Sequence, residues 1–258
     1  MMKIMTLNLR ADNILDLRNR WSKRSEIVAH MLESKHFDFI GLQEVTPKMY
    51  QDIAQYTSGY TTIGEGRTKK LFNEQNNLLI NNAHKIIENE TFWLSKTPHK
   101  TGSSIWYSLF PRICTTAVIE LDTHQKVRVY NTHLDCILPH AREKGLKTII
   151  AAIEAHHDKE HLPCVLMGDF NATPESKLIK QFSKGEYSHK RFIAVQDFNK
   201  EMYKETTMGM FKGRKKGMHI DYIFVSEEFE IKDVQIYKYN ESGRYPSDHY
   251  PIIADLKI

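Results

Sequence analysis

The heptapeptide YPSDHYP, residues 245–251, places a carboxylate directly beside an imidazole, just before an apolar run. A second segment, GDFN at residues 168–171, follows an apolar run and carries another carboxylate and an amide. Two further polar pairs, Gln43-Glu44 and Thr132-His133, also stand at the ends of apolar runs. Polar side chains that recur at the ends of predicted strands indicate one site assembled at the edge of a sheet. Their chemistry is typical of metal-assisted hydrolysis of a phosphate ester.

The length of 258 residues predicts one domain spanning 1–258 with a sizeable core. Apolar residues make up 41% and charged residues 26%, as in soluble globular enzymes, and the net charge of +4 permits an anionic substrate. Three cysteines, an odd number without a Cys-x-x-Cys pair, argue against a disulfide framework or a structural zinc site. The N-terminus lacks a signal-peptide pattern. We therefore expect a cytoplasmic monomer with no integral membrane association.

Apolar periodicity and turn residues predict an alternation of strands and helices at both ends of the chain, around a β-rich middle. We predict strands at 3–9, 37–42, 78–80, 113–121, 127–130, 164–167, 220–225, 231–239 and 252–258. We predict helices at 22–33 with Ser22 as the cap, from Pro47, at 139–157, and from Pro174. This order predicts an α/β (α+β) protein in which two packed sheets carry helices on their outer faces.

The metal-binding candidates are oxygen ligands at predicted strand ends. Hard cations such as Mg²⁺ prefer carboxylate and amide oxygens and keep several waters, so few protein ligands suffice. Glu44 is the best single candidate, and Asn8 and Asp248 could complete the site. A solvated carboxylate at a strand end is the alternative interpretation of Glu44.

Two histidines are candidates for general acid–base catalysis or for phosphate binding. His249 could act as the general base that activates water, with Asp221 fixing its tautomer. His133 could donate a hydrogen bond to the phosphate, with Glu74 as its orienting partner. A capping or surface histidine and a buried, satisfied histidine are the respective alternatives.

Asp169 and Asn171 lie two positions apart, so an extended backbone would direct both to the same side. The carboxylate could hold the nucleophile or protonate the leaving group, while the amide binds a phosphoryl oxygen. An Asp/Asn turn that caps a helix fits the same composition. Arg112 and Arg10 are candidates for phosphate contacts through the guanidinium fork, although each could equally form a surface salt bridge.

Taken together, the chain resembles the endonuclease/exonuclease/phosphatase superfamily, which includes the DNase I-like nucleases. The resemblance rests on six motifs in order along nearly the whole chain: TLNLR (6–10), LQEV (42–45), NTHL (131–134), GDFN (168–171), IDYI (220–223) and SDH (247–249). A further segment, TFWLSKTP at residues 91–98, resembles a subgroup of bacterial members.

This resemblance implies a four-layer α-β-β-α sandwich of the DNase I-like type, with the site at one end of the sheets. It implies that Glu44 binds Mg²⁺ or Mn²⁺, with Asn8 and Asp248 near the metal or the phosphate. It also implies that His249 is the base oriented by Asp221, and that Asp169 and Asn171 handle the nucleophile, the leaving group and the phosphoryl oxygens.

For three other residues, the resemblance is to the DNase I-like branch of the superfamily only. It implies that His133, backed by Glu74, is the second histidine of the DNase I-like branch. It further implies that Arg112 stands where that branch has a phosphate-contacting arginine.

Departures from two branches narrow the substrate. Abasic-site endonucleases of the superfamily have a tyrosine where this chain has His133 and an acidic residue where it has Arg10. Inositol polyphosphate 5-phosphatases have a Trp-Cys stretch before the aspartate matched by Asp221, whereas this chain has Gly217-Met218-His219-Ile220. The sequence therefore argues against both branches.

Three functions remain open. The first is a phosphodiesterase acting on nucleic acid or a nucleotide, favoured by the basic runs at 212–216 and Lys69-Lys70, although each run could be a solvated loop. Trp106 and Tyr107 could stack on a base or could equally pack in the core or in a loop. The second is a phosphatase, or a phospholipid or sphingomyelin phosphodiesterase, acting on a small phosphorylated substrate. The third is a non-catalytic binding module, which the complete acid–base set argues against.

Overall fold

The computed structural model describes residues 1–69, 73–188 and 190–258, and within them the chain alternates strands with helices. The strands are β1 (Met2–Asn8), β2 (Phe39–Val45), β3 (Tyr60–Ile63), β4 (Gln75–Asn81), β5 (Lys85–Trp93), β6 (Ile113–Glu120), β7 (Lys126–His133), β8 (Cys164–Asp169), β9 (Phe192–Ala194), β10 (Asp221–Ser226), β11 (Glu230–Ile236) and β12 (Ile252–Lys257). The α-helices are α1 (Trp21–Glu33), α2 (Pro47–Tyr56), α3 (Pro139–Lys159) and α4 (Lys177–Ser183). Short 3₁₀ segments cover Ile14–Asn19 and Val195–Lys204. No helix in these ranges is long and apolar enough to cross a bilayer.

The strands form two six-stranded sheets with related topologies. The first has the order β11-β12-β1-β2-β4-β3 and the second the order β5-β6-β7-β8-β10-β9. In each sheet one central pair is parallel, β1 with β2 and β7 with β8, and the other pairs are antiparallel. A parallel pair needs a long crossover, and α1 and α3 provide the two crossovers.

The core lies in three apolar layers. Alternate residues of the strands face each other between the two sheets, as Ile4 and Phe39 do from the first sheet and Val129 and Val165 from the second. The intervening residues of the first sheet, such as Met5, pack beneath α1 and α2, and those of the second sheet pack beneath α3 and α4. This period-2 alternation confirms the predicted α-β-β-α sandwich.

Several boundaries differ from the predicted ones for local reasons. Helix α1 begins at Trp21 with Arg20 at its cap position, so Ser22 is not the cap. Helix α4 begins three residues later than Pro174, because the Ser176 hydroxyl accepts the hydrogen bond from the Ile179 amide and caps it there. The sequence analysis missed the edge strand β5, whose charged and polar outer residues hide its alternation, although it pairs along its whole length with β6.

The topology gathers the polar strand ends at one edge, which we call the site edge. The parallel strands β1, β2, β7 and β8 end there, and their registers place Asn8 opposite Gln43 and His133 opposite Asp169. Strand β10 runs antiparallel to β8 and therefore begins there, with Asp221 opposite Asp169. Strand β12 runs antiparallel to β1, so the segment before it, with Asp248 and His249, reaches the same edge.

Gly168 permits the close approach of β8 to β7 immediately before Asp169. Its φ of +144° is a conformation that side chains rarely adopt, and a Cβ there would lie 1.9 Å from the carbonyl oxygen of Thr132. Neither strand can move away without breaking the register that brings His133 beside Asp169.

We therefore expect Gly168→Ala to lower the free energy of unfolding by at least ~2 kcal/mol, because backbone atoms must shift to admit the methyl group. Gly59→Ala is the matched control, since a Cβ at Gly59 meets nothing within 4 Å. Denaturant unfolding followed by circular dichroism measures both variants. Equal midpoints for Gly168→Ala and the wild type would contradict the proposed constraint.

Candidate functional site

The metal-binding candidates Asn8 and Glu44 lie side by side at the site edge. The Asn8 amide nitrogen, Nδ2, donates to Glu44 Oε1 at 3.0 Å, and the Ala11 amide donates to Glu44 Oε2 at 2.9 Å. Glu44 itself has a φ of 59°, where the register between β2 and β4 shifts, so a bulge aims its side chain into the site. Burial opposes its ionisation, but the hydrogen bonds from Asn8 and Ala11 and the charge of His249 hold the pKa of Glu44 below its usual range.

His249 and Asp221 form a buried pair. His249 Nδ1 lies 2.9 Å from Asp221 Oδ2, which leaves Nε2 of the ring for other partners. Burial disfavours the charged imidazole, yet the negative charges of Asp221, Asp248 and Asp169 raise the pKa of His249 well above its usual value. The Thr207 hydroxyl accepts hydrogen bonds from the Ile220 and Asp221 amides at 3.0 and 3.3 Å, and so fixes the start of β10.

Asp169 occupies the centre of the site. Its Oδ2 accepts from Asn8 Nδ2 at 3.0 Å, and its Oδ1 accepts from the Asn171 amide at 2.8 Å. Burial and the neighbouring charge of Asp221 raise the pKa of Asp169 to about 7. Asn171 has a φ of 49°, as in a turn, and donates through Nδ2 to the carbonyl of Leu134 at 3.2 Å. It therefore forms a turn, and this turn lies beside Asp169 at the site.

His133 ends β7 of the second sheet and Arg112 directly precedes β6 of the same sheet, whereas Glu44 belongs to β2 of the first sheet. His133 Nε2 lies 3.6 Å from Asp169 Oδ2. Burial and the positive charges of Arg112, Arg67 and His249 lower the pKa of His133 well below its usual value, so the ring is neutral and can donate one hydrogen bond. The buried Arg112 donates through Nη2 to Cys136 Sγ at 3.3 Å, while its Nε has no partner within the described ranges.

The expected pairing of Glu74 with His133 is wrong. Glu74 accepts both guanidinium hydrogen bonds of Arg67, at 2.8 and 2.9 Å, and it makes no hydrogen bond or ion pair with His133 in the part of the chain that the structure describes. Arg67 is buried and satisfies the bidentate geometry that a carboxylate offers. The sequence analysis missed Arg67, whose only signal was its place seven residues before Glu74 on the loop that leads into β4.

Arg10 and Asp248 lie beside the Glu44 carboxylate. Arg10 donates through Nε and Nη2 to Asp16 at 3.0 and 3.2 Å, and its Nε is 4.0 Å from Asp248 Oδ2. The hydrogen bonds to Asp16 raise the pKa of Arg10, so this guanidinium fork already has a carboxylate partner. Burial, together with the charge of Glu44, raises the pKa of Asp248. These contacts favour Asp248 as a metal-site residue more than they favour Arg10 as a phosphate contact.

A buried arginine that the sequence analysis missed fixes the segments around these residues. Arg24 of α1 donates through Nη1 to the carbonyls of Leu9 and Pro246 at 2.6 and 3.0 Å, and through Nη2 to the carbonyl of Arg10. Burial lowers the pKa of Arg24 to about 10, against the opposing charge of Asp248. It thereby ties the chain after β1 to the chain before His249.

The donor set fits a hard divalent cation. Asp169, Asp221 and His249 each present one ligand atom, and these atoms all lie within 4.8 Å of one another. Asp221 Oδ1 is buried and has no hydrogen-bond partner in the described ranges. Within this cluster His249 Nδ1 and Asp221 Oδ2 already bond each other, so Glu44, across the Asn8 amide, is the carboxylate that we assign to the ion. The carboxylate oxygens of Glu44, Asp169 and Asp221 match the preference of Mg²⁺ and Mn²⁺ for oxygen ligands.

The basic runs stand apart from this buried centre. Lys212, Arg214, Lys215 and Lys216 are exposed on the loop before β10, which reaches the site edge, and none of them forms an ion pair with a described residue. Lys69 is exposed as well, whereas Lys70 lies outside the described residues.

A scan of protein families matches residues 5–249 to the endonuclease/exonuclease/phosphatase family. Among solved structures, the chain is similar to a Bacteroides vulgatus member of that family, with 26% identity, a TM-score of 0.88 and coverage of 100% of this chain and 98% of the other. It is similar to a functionally unknown conserved protein of Enterococcus faecalis, with 28% identity, a TM-score of 0.88 and 99% coverage of both chains. It is also similar to a mannosyl-6-phosphatase of Bacteroides thetaiotaomicron, with 26% identity, a TM-score of 0.87 and full coverage of both chains. No curated protein sequence matches the chain significantly.

The ligand geometry predicts that a divalent metal stabilises the fold. At a Mn²⁺ or Mg²⁺ concentration about 100-fold above the dissociation constant, the midpoint of thermal unfolding should rise by roughly 5 °C. Glu44→Gln removes one anionic oxygen ligand, so it should abolish most of this rise.

Glu230→Gln is the matched control, because Glu230 is an exposed glutamate on the edge strand β11, away from the site. Thermal unfolding of the three proteins, with EDTA and with increasing metal, checks the prediction. A metal-induced rise that is the same in Glu44→Gln and in the wild type would exclude Glu44 as a ligand.

Proposed function

This chain belongs to the endonuclease/exonuclease/phosphatase family, and from that premise and the geometry of its site we propose that it is a divalent-metal-dependent phosphoesterase. The observation that carries the proposal is the meeting of three groups around one amide. The Asn8 side chain contacts both Glu44 and Asp169, and the His249–Asp221 pair lies against the same Asp169 carboxylate. A carboxylate for a metal, a base with its orienting partner and a second acidic group are what hydrolysis of a phosphate ester requires.

Glu44 would hold the metal ion, with Asn8 and Asp248 nearby. Its low pKa keeps the carboxylate ionised, which ligation requires. When bound, Mg²⁺ or Mn²⁺ polarises the phosphoryl group and offsets its negative charge.

His249 is proposed as the group that moves the proton of the attacking water. A bound divalent cation would offset the negative charges that raise the pKa of His249 and so favour the neutral ring. In that form Nδ1–H donates to Asp221 and leaves Nε2 as the acceptor. The orienting carboxylate also stabilises the imidazolium that forms once the proton is taken. Because both side chains are buried and β10 is fixed by Thr207, the ring has little freedom to leave this orientation.

The remaining polar groups would bind different oxygens of the phosphate ester. His133, neutral and buried, can donate to a phosphoryl oxygen, and the Arg112 guanidinium can place positive charge beside it. Asp169 and Asn171 lie next to the base and would handle the leaving oxygen and a phosphoryl oxygen. Glu74 would act through Arg67 and not through His133, as a partner that holds this guanidinium in place.

A phosphodiester of nucleic acid or a nucleotide is the first proposed substrate. Its support is the run of exposed cations at 212–216, which could follow a phosphate backbone. A phosphomonoester is the second, and its support is the similarity over the full chain to a mannosyl-6-phosphatase. A phospholipid is the third proposed substrate. The complete set of acid–base residues argues against a non-catalytic binding module.

We expect His249→Ala to lower kcat by roughly 100- to 10,000-fold, because the proton acceptor is lost while metal and phosphate ligands stay. His161→Ala is the control, since His161 is an exposed histidine beyond the end of α3 that faces away from the site edge. Steady-state kinetics on a p-nitrophenyl phosphate ester, with circular dichroism to confirm folding, checks it. Turnover by His249→Ala close to that of the wild type would exclude His249 as the base.

A substrate panel separates the proposed classes. Single- and double-stranded DNA, RNA, bis-p-nitrophenyl phosphate, p-nitrophenyl phosphate, mannose 6-phosphate and sphingomyelin would each be incubated with Mn²⁺ or Mg²⁺ and, separately, with EDTA. Metal-dependent cleavage of a polynucleotide would support a nuclease, and cleavage confined to monoesters would support a phosphatase. The absence of metal-dependent cleavage of every compound by the folded protein would count against the phosphoesterase proposal.

A further inference from the structure

Trp106 is exposed in a way that the other two tryptophans are not. Its relative exposure is 91%, whereas Trp21 and Trp93 are each 3% exposed in the core. An indole with this exposure contributes little to the packing of its own chain. A large aromatic side chain left in water beside a binding site is typical of a contact surface.

The loop that carries Trp106 is fixed to the phosphate side of the site. Ile105 and Ser108, on either side of it, line one small cavity together with Arg112 and Leu134. Ser108 Oγ donates to Asp135 Oδ2 at 2.6 Å, and Asp135 follows His133 by two residues. Trp106 therefore stands on the rim beside the two groups that we assign to the phosphate.

The indole has one aromatic neighbour, Tyr107. The two rings meet edge-on, with centroids 5.2 Å apart and an interplanar angle of 83°. Tyr107 in turn stacks on His140 at 5.7 Å, and the Lys144 ammonium lies 5.8 Å from the Tyr107 ring. The rest of the indole surface is therefore open to a ligand.

We propose that Trp106 is the residue that selects the leaving group, by stacking on a ring of the substrate whose phosphate lies at His133 and Arg112. This inference rests on the proposed phosphoesterase function and adds the class of substrate: a phosphate ester whose leaving group carries a ring. An indole face binds the flat surface of a nucleobase or the C–H face of a sugar ring. Leu109, on the loop of Trp106, and Ile137, on the loop after His133, are 66% and 56% exposed and add apolar surface to these loops.

The buried centre and Trp106 would recognise different parts of the substrate, the phosphoryl group and the leaving group. Every phosphate ester presents the same phosphoryl group to the buried centre, so that centre cannot distinguish one leaving group from another. Discrimination needs a contact with the leaving group itself, and Trp106 offers such a contact on the rim. Because the indole is almost fully exposed, its removal should leave the stability of the fold unchanged.

Acrylamide quenching of tryptophan fluorescence tests the contact without turnover. Since Trp21 and Trp93 are buried, the quencher reaches mainly Trp106. In the His249→Ala protein with Mn²⁺, mannose 6-phosphate or adenosine 5′-monophosphate should reduce the quenching constant, whereas inorganic phosphate and glycerol 1-phosphate should not. A lower quenching constant with mannose 6-phosphate would indicate that Trp106 contacts a sugar ring, and one with adenosine 5′-monophosphate alone would indicate a nucleobase. Equal quenching with every compound would overturn the proposal.

Kinetics on paired substrates provides the second test. Trp106→Ala should lower kcat/KM for the preferred ring-bearing ester by roughly 10-fold, Trp106→Phe should lower it less, and both should stay within about two-fold of the wild type on glycerol 1-phosphate. Tyr56→Ala is the matched control, because Tyr56 is a partly exposed aromatic residue at the far end of α2.

An equal loss on ring-bearing and acyclic esters would overturn the proposal, since it would mean that Trp106 only positions the phosphate site. Unchanged kinetics on all esters would overturn it as well. If the wild type cleaves none of these compounds, the phosphoesterase proposal fails, and the quenching experiment still decides whether Trp106 contacts a ring.

Discussion

Three buried amide side chains join the two sheets at the edge where the site lies. Asn8 of the first sheet donates to Asp169 of the second at 3.0 Å, and Gln43 donates through Nε2 to Asn131 Oδ1 at 2.7 Å. Asn131 donates back to the carbonyls of Leu42 and Asn77 at 2.9 and 2.8 Å. Buried amides are costly to leave unpaired, so these bonds fix the position of one sheet relative to the other. The positions of Glu44 and of the His249–Asp221 pair depend on that relation.

The electrostatics of the site follow from burying four carboxylates together. Hydrogen bonds keep the pKa of Glu44 low, whereas burial and mutual repulsion raise the pKa of Asp169 and of Asp248. The same negative charge raises the pKa of His249, while burial and two arginines lower the pKa of His133. Glu44 and Asp248 therefore supply negative charge to the site, and Arg112 and Arg67 supply positive charge near His133. A divalent cation fits the carboxylates, and a phosphoryl group fits the groups around His133.

Sequence reasoning located most of the site because its residues stand at strand ends, where the change from apolar to polar is visible. The motifs around Asn8, Glu44, His133, Asp169 and Asp221 were found in this way, and topology then brings strand ends that are far apart in sequence to one edge. Partners that depend on loop conformation were not predictable. Arg67 reaches Glu74 because its loop folds back onto β4, and Arg24 of helix α1 donates to four backbone carbonyls. No periodicity marks either arginine as buried, so Arg67 was not predicted as the partner of Glu74, and the resemblance implied His133 instead.

The central claim is that Glu44 is the carboxylate that holds the metal, next to the Asn8 amide. A crystal grown with Mn²⁺, with diffraction data collected at the manganese absorption edge, tests this claim most directly. We expect an anomalous peak at ligand distance, about 2.1 Å, from a carboxylate oxygen of Glu44. A peak held by Asp169, Asp221 and His249 with none beside Glu44, or no peak at the site edge, would contradict it.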